Sequence, residues 1–447
     1  MTERKNRRDF LRATAATGTG LWVVGSGSDL FAKSANEMVN VACVGVGGQG
    51  NSNLGNIAGV KLDGKSAVNI VALCDIDDKT LDNAAKRFEK AAKYNDFRKM
   101  LDEKHKEIDA VVISTPDHTH AVAAMAAMKL GKGVYCEKPL THSIHEARVL
   151  TEAAAKMKVA SQMGNQGQSG GNTRRIVEIV RSGGIGAVKE VHAWTDRPIW
   201  PQGMEKRPEP QEVPKNIHWD EWVGPAAIRP YSENYLPFKW RGWWDFGTGA
   251  LGDMACHILN APFWALDLKY PTSVEAEGAP HSAEGGPRAE TIVYEFPARG
   301  DMPACRVTWY DGGRKPPKEL LPEGMKWEKG GSLLVGEKGK LYINDDYGGK
   351  HILLPKDQFE GYQNPAETIK RSPGHHQDFI EAVKDPVGRP ACSNFSYSGP
   401  LTEMVLLGVV AFRVNKKIEW DGPNMKVTNT SEAEEFLRPS YREGWSL

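Results

Sequence analysis

A glycine pattern near residue 45 constrains this 447-residue chain more than any other feature. An apolar, β-branched run over residues 39–44 leads into Gly45, Gly47 and Gly50, which have the spacing G-x-G-x-x-G. We predict a buried parallel strand that turns into a helix. Gly45 permits the tight turn, Gly47 lets the backbone approach a pyrophosphate, and Gly50 lets the helix pack closely against the strand. The pyrophosphate would lie at the helix N-terminus, where unpaired N–H groups favour an anion.

An acid at the end of the next predicted strand strengthens this interpretation. A second apolar run, residues 69–74, ends in Asp75, which lies 25 positions beyond Gly50. A carboxylate at this position can bond a ribose 2′-OH, and it therefore favours NAD over NADP. The alternative is a glycine turn in an α/β domain that binds no cofactor.

Composition argues against several classes of protein. Lysine plus arginine equals aspartate plus glutamate at 57 each, so no overall charge favours nucleic acid or a membrane surface. The six cysteines have no CxxC pairing and no zinc spacing, and we predict no disulfide framework. We predict no metal site, because the adjacent His375 and His376 cannot share a helical face. Beyond the N-terminal segment, no run of about 18 apolar residues indicates a membrane-spanning helix.

Residues 1–35 have the pattern of an export signal. The paired Arg7 and Arg8 precede a weakly apolar stretch over residues 13–24 and a small-residue cleavage site near Ala32. We predict a twin-arginine signal peptide and a periplasmic protein. Because this route exports folded proteins, a cofactor could be loaded in the cytoplasm and carried out. The alternative is a disordered basic tail.

The remainder of the chain predicts two domains. Strand and helix patterns alternate over residues 37–160, as a Rossmann-type, doubly wound parallel sheet requires. This alternation ends in residues 161–447, where we predict a C-terminal α/β substrate domain with an open, largely antiparallel sheet. Within it, residues 198–240 form a long loop that is rich in proline and tryptophan. The predicted fold class is therefore α/β, with a nucleotide-binding domain followed by a substrate-binding domain.

A lysine follows a short strand of the first domain in the sequence Glu137-Lys138-Pro139. Lys138 is predicted at the carboxyl edge of the sheet, where open α/β folds bind ligands. There it can bond the nicotinamide ribose and a substrate hydroxyl, and its charge favours an alkoxide. Pro139 suggests a fixed turn, which could be cis. The alternative is a surface lysine near a turn.

Asp253 and His257 are four positions apart, so on a helix they share one face. We expect His257 to have a pKa near neutrality and to accept a hydroxyl proton, while Asp253 holds the substrate or the imidazole. Taken alone, such a pair is more often a surface pair on a helix. Together with Lys138, Gly247 and Gly249, however, the pair resembles the catalytic segment of the Gfo/Idh/MocA family, and this resemblance favours the catalytic interpretation.

Together these motifs resemble the Gfo/Idh/MocA family of two-domain sugar and cyclitol oxidoreductases, over essentially the whole chain after the signal. The resemblance is carried by the glycine pattern, Asp75, Thr115-Pro116-x-x-x-His120, Glu137-Lys138-Pro139 and Asp253-x-x-x-His257. It implies tightly bound NAD, with NADP less favoured, and a homo-oligomer formed through the C-terminal sheet. It also implies cofactor contacts from Gly45, Gly47, Gly48, Gln49, Gly50, Asp75, Thr115, Pro116, His120, Glu137 and Lys138.

The resemblance assigns catalysis to Lys138, Asp253 and His257. One departure from the family pattern lies three residues after the histidine, where relatives often have aspartate and this chain has Asn260. The departure puts the contacts to substrate hydroxyls in doubt more than the hydride step.

Substrate contacts are expected from two groups of side chains. Asn165, Gln166 and Arg197 lie at predicted strand ends that face the cleft, and they could bond hydroxyls. Eight of the 13 tryptophans fall between residues 194 and 264, and indole faces can stack on the C–H face of a pyranose. Most of these tryptophans are expected to be core residues, with Trp200 and Trp243 as the candidate sugar platforms.

Three functions remain open from the sequence. The first is an NAD(P)-dependent oxidoreductase that acts on a hydroxyl of a sugar, glycoside or cyclitol. The second is a glycosidase that oxidises a sugar carbon transiently, eliminates the aglycone and regenerates NAD in each turnover. The third is a non-catalytic sugar-binding protein on the same fold, against which the complete set of three catalytic residues argues.

The predicted signal can be tested by changing Arg7 and Arg8 together to lysine. Because the twin-arginine route depends on the arginine pair, we expect the variant to stay in the cytoplasm while the unchanged chain is exported. Cell fractionation followed by immunodetection measures this difference. Mature variant outside the cytoplasm would show that residues 1–35 are not a twin-arginine signal.

Overall fold

The computed structural model describes residues 38–438 and 440–447. The predicted export signal, with Arg7 and Arg8, lies outside the described residues. The described part of the chain contains two large sheets, one parallel and one largely antiparallel, with helices packed against both.

The first sheet is the parallel sheet that the N-terminal pattern predicts. Its six strands are β1 (Val39–Val44), β2 (Val68–Cys74), β3 (Ala92–Tyr94), β4 (Ala110–Ile113), β5 (Gly133–Cys136) and β6 (Ser161–Met163). Their spatial order is β3-β2-β1-β4-β5-β6, and each neighbouring pair is parallel. This is the strand order of a dinucleotide-binding Rossmann fold, in which ligands bind at the carboxyl ends of the strands where the order reverses, between β1 and β4.

Helices connect these strands and cover both faces of the sheet. They are α1 (Gly48–Ala58), α2 (Asp78–Ala85), α3 (Phe97–Lys104), α4 (Asp117–Lys129) and α5 (Ile144–Met157). A small hairpin of Lys61–Leu62 and Lys65–Ser66 lies between α1 and β2. A capping box begins α5, since the Ser143 hydroxyl accepts from the Glu146 N–H and the Glu146 carboxylate accepts from the Ser143 N–H.

The second sheet is open and largely antiparallel, as predicted. Its nine strands are β7 (Val188–Trp194), β8 (Ser273–Ala279), β9 (Ala289–Phe296), β10 (Cys305–Tyr310), β11 (Gly331–Gly336), β12 (Lys340–Ile343), β13 (Ile352–Leu354), β14 (Ile418–Asp421) and β15 (Lys426–Val427). The spatial order is β13-β12-β11-β7-β10-β9-β8-β14-β15, and among the described strands β7 and β10 form the one parallel pair of this sheet. The predicted fold class is thereby confirmed.

The helices of the second half pack against both sheets. They are α6 (Gly171–Arg181), α7 (Trp219–Val223), α8 (Gly249–Ile258), α9 (Asn260–Ala265), α10 (His375–Lys384), α11 (Phe395–Val414) and α12 (Glu434–Leu437). Burial alternates along β9, whose buried side chains Ile292 and Tyr294 belong to the same core as Leu407 of α11.

The long helix α11 joins the two halves of the molecule. It is the one helix in the described part of the chain that is long and apolar enough to cross a membrane, but 78% of its apolar window is buried inside the protein. It packs against α5 and α8. Arg148 of α5 donates two hydrogen bonds to the buried carboxylate of Glu403 in α11, at 2.8 and 2.7 Å. The apolar surface of α11 is therefore core surface.

Helix α10 returns from the C-terminal half to the parallel sheet. Its Phe379 and Ile380 are fully buried and share a core with Val41 of β1 and Tyr135 of β5. Strand β6 ends at Met163, and the domain boundary at residue 160 stays a prediction.

The predicted long loop at residues 198–240 contains α7, and its last two residues are the first two of the 3₁₀ turn Lys239–Gly242. Aromatic side chains of this loop and of the residues just after it form a small core of their own, with Trp222, Tyr235, Trp240, Trp243 and Phe246 as its buried aromatic members. Six of the eight tryptophans between residues 194 and 264 are buried, so the expectation that most of them are core residues is confirmed.

Part of this loop runs antiparallel to the residues that follow β2. The N–H of Asp78 donates to the carbonyl of Asn216 at 3.0 Å, and the N–H of His218 donates to the carbonyl of Ile76 at 2.9 Å. The side chain of Asn216 also donates to Asp77 at 2.6 Å. We call residues 216–218 the strap. It fastens the substrate-binding half to the nucleotide-binding half directly beside Asp75.

Candidate active site

The two halves of the chain meet at an ion pair between Lys138 and Asp253. Lys138 follows β5, and its peptide bond to Pro139 is cis. Asp253 lies on α8, where its side chain is largely buried. The Nζ atom of Lys138 lies 2.6 Å from Oδ1 of Asp253 and donates a second hydrogen bond to the Asp253 carbonyl at 3.0 Å. The structure thus brings together two of the three predicted catalytic residues.

A second cation, which the sequence analysis did not identify, reaches the same carboxylate. Arg241 lies in the 3₁₀ turn, and its Nε is 3.3 Å from Oδ1 of Asp253. Its Nη1 is 3.1 Å from Asp117 at the start of α4. The other carboxylate oxygen of Asp117 accepts from the N–H and the hydroxyl of Thr248, at 3.1 and 2.6 Å. The guanidinium also lies over the Trp240 ring at 4.3 Å. Arg241 therefore ties Asp253 to the nucleotide-binding half.

These cations decide the charge of Asp253. Burial alone would raise the pKa of its carboxyl, but Lys138 and Arg241 outweigh burial and lower the pKa below the ordinary value. Asp253 is therefore ionised at working pH. The pair is an internal salt bridge in which the Asp253 carboxylate contacts both Lys138 and Arg241.

His257 completes the predicted catalytic set and differs from expectation in its pKa. It lies one turn after Asp253 on α8 and is 6% exposed. Burial, together with the nearby Lys138 charge, lowers the pKa of His257 from 6.5 to about 3. The expectation of a pKa near neutrality is therefore wrong, and the imidazole is neutral at working pH. Its buried Nδ1 has no hydrogen-bond partner among the described residues.

The glycine loop fits a dinucleotide phosphate. Gly45 has a φ of +76°, and a Cβ there would lie 2.6 Å from the carbonyl oxygen of Ser114. A Cβ at Gly50 would overlap the carbonyl of Gly45, so the helix packs on the strand as closely as predicted. Gly48 and Gln49 are exposed in the first turn of α1, which no side chain caps. The first N–H groups of α1 are thus free for an anion.

Asp75 lies beside this loop at the end of β2. Its Oδ2 accepts from the N–H of Val46 at 2.8 Å, and its Oδ1 accepts from the N–H of Asp77 at 3.0 Å. Burial raises the pKa of Asp75, while these backbone N–H groups act in the opposite direction. The carboxylate is fixed beside the glycine loop, next to the strap.

The remaining predicted cofactor residues lie at the ends of β4 and β5. Thr115 and Pro116 follow β4, and Pro116 precedes the first residue of α4. The two ring nitrogens of His120 lie 2.8 Å from the carbonyl oxygens of Thr115 and Pro139. His120 is 1% exposed, so it holds these two loops together from behind. Its role is to position the loops, and a direct contact from its ring to a cofactor stays a prediction.

Glu137 is joined to the first helix of the nucleotide-binding half. Its Oε1 accepts from the side-chain N–H of Asn53 in α1 at 2.8 Å, and its Oε2 accepts from the N–H of Lys138 at 3.2 Å. A Cβ at Gly164 would lie 2.6 Å from Oε1. Glu137 therefore fixes the backbone that carries Lys138 against the nucleotide loop.

Two of the predicted substrate contacts are contradicted by burial. Asn165 is fully buried, and its amide donates to Asn260 at 3.0 Å while it accepts from Ser393. It cannot face the cleft, because the amide of Asn260 holds it inside the core. Trp243 is 3% exposed and donates to the carbonyl of Asn234, so its ring has no open face for a sugar.

The other three substrate candidates are placed differently. Trp200 is 5% exposed, but it lines a groove of about 430 Å³ that Pro198 and Gln202 also border, and the Arg241 guanidinium lies 5.6 Å from its ring. Gln166 and Arg197 are partly exposed. Their predicted contacts to hydroxyls stay predictions.

An aromatic side chain that the sequence analysis passed over lies beside His257. The ring of Tyr347 is 4.9 Å from the imidazole, centroid to centroid, and the residue is 51% exposed. It belongs to the turn Asp345-Asp346-Tyr347-Gly348 after β12. The sequence predicts a turn at these residues, but nothing in the sequence relates this turn to α8, so Tyr347 could not have been assigned to the site from the sequence. No group of three His, Cys, Asp or Glu side chains in the described residues could hold a metal ion.

Comparison with known families matches both halves of the chain. A family profile described as an oxidoreductase family with an NAD-binding Rossmann fold matches residues 39–165. A second profile, described as the C-terminal alpha/beta domain of the same oxidoreductase family, matches residues 174–447.

Individual relatives match part of the chain. The chain is 30% identical over 201 residues to a glycosyl hydrolase family 109 protein of Solibacter usitatus, covering 41% of this chain and 44% of that protein. It is 31% identical over 151 residues to inositol 2-dehydrogenase of Salmonella typhimurium, covering 33% of this chain and 43% of that protein. The match thus spans less than half the length of these curated relatives.

Solved structures share the fold at low sequence identity. The WlbA dehydrogenase of Bordetella pertussis, solved with NADH and UDP-GlcNAcA, has 17% identity and a TM-score of 0.59 over 86% of this chain and 99% of that chain. Myo-inositol 2-dehydrogenase of Lactobacillus plantarum has 17% identity and a TM-score of 0.56 over 86% of this chain and 99% of that chain. At this identity the likeness concerns the fold.

Buried histidines predict how the stability of this protein depends on pH. Burial lowers the pKa of His118 to about 4 and the pKa of His257 and His375 to about 3, from 6.5. Below pH 6.5 the unfolded chain binds protons that the folded protein does not, so stability falls as the pH drops from about 6.5 towards 4. Each histidine contributes a slope of about 1.4 kcal/mol per pH unit in that window. Urea unfolding at successive pH values measures the total slope.

The contribution of His257 is isolated by the variant His257→Gln. Between pH 6 and 4 we expect the free energy of unfolding of this variant to change less steeply with pH, by about 1.4 kcal/mol per pH unit, which corresponds to one proton. The slope above pH 7 should be unchanged and serves as the internal control. An unaltered slope below pH 6 would mean that His257 binds its proton equally well in the folded protein.

Proposed function

The chain belongs to the Gfo/Idh/MocA family of oxidoreductases, and we propose that it transfers a hydride between NAD and a hydroxyl-bearing carbon of a sugar, glycoside or cyclitol. The observation that carries the proposal is the neutral, unpartnered imidazole of His257 beside the ionised pair of Lys138 and Asp253. A buried polar atom without a partner is rare in proteins, and a substrate hydroxyl would supply the partner.

The residues divide the proton chemistry between them. Neutral His257 accepts the proton of the substrate hydroxyl, and the ionised Asp253 stabilises the imidazolium that results. Lys138 is an ammonium with three donors, of which Asp253 uses two, so one is left for the substrate oxygen. Its charge stabilises the negative charge that develops on that oxygen. The nicotinamide cofactor, which the glycine loop and Asp75 would hold, would supply the hydride acceptor for the carbon that carries this oxygen.

A redox-neutral glycosidase is the second candidate function. Two observations favour it: the 30% identity to a glycosyl hydrolase family 109 protein, and the strap that closes over the residues after Asp75. A cofactor that is oxidised and reduced within one turnover need not leave, and the strap would hold it. Mass analysis of products from a panel of glycosides separates the candidates, because free aglycone without accumulated NADH indicates cleavage. A non-catalytic sugar-binding protein is disfavoured by the assembled Lys138, Asp253 and His257.

The proposed cofactor is tightly held NAD. The carboxylate of Asp75 would repel a 2′-phosphate, and the residues that follow it, Ile76, Asp77 and Asp78, supply no cation. The strap, with His218 against Asp78 at 3.1 Å, supports slow release at the adenosine end.

Export and self-association complete the proposal. Arg7 and Arg8 support the twin-arginine route, and the second sheet supports a homo-oligomer because one of its faces carries partly exposed side chains along β9. Analytical ultracentrifugation of the purified protein tests the association, and a monomer at micromolar concentration would contradict it.

The cofactor preference can be measured on protein stripped of nucleotide. We expect NAD to bind at least tenfold more tightly than NADP, because the proposed position of the Asp75 carboxylate at the ribose 2′-OH would repel a 2′-phosphate. Asp75→Ser should reduce the ratio of NAD affinity to NADP affinity. Asp82→Ser, on the exposed face of α2, should leave this ratio unchanged. Equal or tighter binding of NADP to the unchanged protein would refute the role given to Asp75.

The proton-transfer roles are tested by single-turnover hydride transfer. A positioned proton-transfer group contributes about 10²–10⁴-fold, so His257→Ala should lower the rate by that factor and leave NAD affinity nearly unchanged. Lys138→Ala should lower both the rate of hydride transfer and the affinity for NAD, since this lysine is expected to reach the nicotinamide ribose as well as the substrate. Cofactor absorbance follows the rate, and calorimetric titration gives the affinity.

One outcome would reverse the assignment. If His257→Ala retains nearly the full rate while Lys138→Ala abolishes it with NAD affinity intact, Lys138 is the base. Asn234→Ala is a control that should change neither quantity, because it keeps the backbone carbonyl of residue 234 that accepts from Trp243.

A further inference from the structure

A half-exposed aromatic ring forms one wall beside the proton acceptor. Tyr347 is 51% exposed, and its ring meets the His257 imidazole edge-on at 4.9 Å and 63°. No hydrogen bond from its hydroxyl occurs among the described residues. By contrast Trp200 and Trp243, the tryptophans expected to bind sugar, are 5% and 3% exposed. Tyr347 is therefore the aromatic ring that offers an open face next to His257.

The turn that carries Tyr347 is held rigidly. The carboxylate of Asp345 accepts hydrogen bonds from the N–H groups of Tyr347, Gly349 and Lys350, at 2.8, 3.0 and 2.6 Å. The carbonyl of the intervening Gly348 accepts from the side chain of Asn172 at 2.8 Å. A ring that is exposed on such a turn keeps its position without a ligand, so little conformational entropy is lost when a ligand packs on it.

A close backbone contact also fixes the turn against the site. A Cβ at Gly167 would lie 2.5 Å from the carbonyl oxygen of Tyr347, so only glycine permits this approach. Gly167 lies in the 3₁₀ turn Gln166–Ser169, which directly follows the end of the parallel sheet. The position of Tyr347 is thus set by the turn that follows β6 as well as by β12.

Charged side chains surround the exposed ring. Burial raises the pKa of the Tyr347 hydroxyl, and the charges of Asp346 and Asp253 raise it further, while Arg197 lowers it. Asp346 directly precedes Tyr347 in the turn, and the Arg197 charge acts on both of these side chains. The phenol stays protonated and cannot serve as a base. An apolar face bordered by a guanidinium and a carboxylate is suited to a ring that has C–H groups on its face and hydroxyls around its edge.

We infer that Tyr347 is a specificity-determining residue, a platform on which the ring of a pyranoside or cyclitol stacks while one of its hydroxyls reaches His257. This inference rests on the proposed function and narrows it to substrates in ring form. An open-chain polyol presents no flat C–H face, and it would gain little from the platform. Arg197 and Asp346 would bond hydroxyls at the edge of the stacked ring.

The test compares Tyr347→Phe and Tyr347→Ala on the best ring-form substrate of a panel of methyl pyranosides and inositols. Phenylalanine keeps the stacking face, so its KM should stay within about twofold of the unchanged protein. Alanine removes the face, and we expect its KM to rise about three- to tenfold with kcat nearly unchanged. Tyr362→Ala, a partly exposed aromatic that packs on Phe359 after β13, is the matched control and should change neither constant.

Two results would overturn the platform. An unchanged KM in Tyr347→Ala would show that no ring packs there, and a fall in kcat with a shifted pH profile would show that Tyr347 only positions His257. If no sugar is oxidised by the unchanged protein, the proposed function fails. Calorimetric titration of methyl pyranosides into NAD-loaded protein then decides the platform independently, since Tyr347→Ala should weaken that binding and Tyr347→Phe should not.

Discussion

A buried carboxylate between two domains is the constraint on which the rest of the site depends. An ionised group taken out of water loses several kcal/mol of hydration, and it is tolerated only where cations and hydrogen bonds replace the water. Asp253 obtains them from Lys138, at the end of a strand in the parallel sheet, and from Arg241, in the long loop. Because the three residues come from separate parts of the chain, the charge is compensated only when both sheets and the loop are in place.

The same environment leaves His257 uncharged. It lies one turn from Asp253, but within residues 38–438 and 440–447 its Nδ1 has no hydrogen-bonding partner, and burial together with the Lys138 charge disfavours a positive charge on the imidazole. The two cations therefore keep the buried carboxylate charged, while burial keeps the imidazole neutral, within a single helix. The site thus combines one fixed negative charge, one fixed positive charge and one neutral imidazole.

The sequence predicts the parts of this molecule whose chemistry is local. The glycine loop, Asp75 and the strand before Lys138 have patterns set by neighbouring residues, and the parallel sheet was predicted from them. Arg241 and Tyr347 were missed, because their importance comes from contacts with residues far away in the chain. Asn165 and Trp243 were misplaced for a related reason: strand-end position and residue type do not reveal which side chains a later segment covers. The pKa of His257 depends on burial, which its spacing from Asp253 does not indicate.

Helix α10 has a consequence for how the protein is made. Its Phe379 and Ile380 cover the face of the parallel sheet that carries Val41 and Tyr135. A nascent chain therefore leaves the ribosome with all six strands of that sheet long before the segment that covers them has been synthesised. During this interval the part of the face that α10 covers stays exposed, while α1 and α2, whose Leu54, Ile57 and Leu81 belong to the same core, already cover the rest. Exposed apolar surface is prone to associate with other chains, so translation through residue 384 closes a patch that the nucleotide-binding half cannot cover by itself.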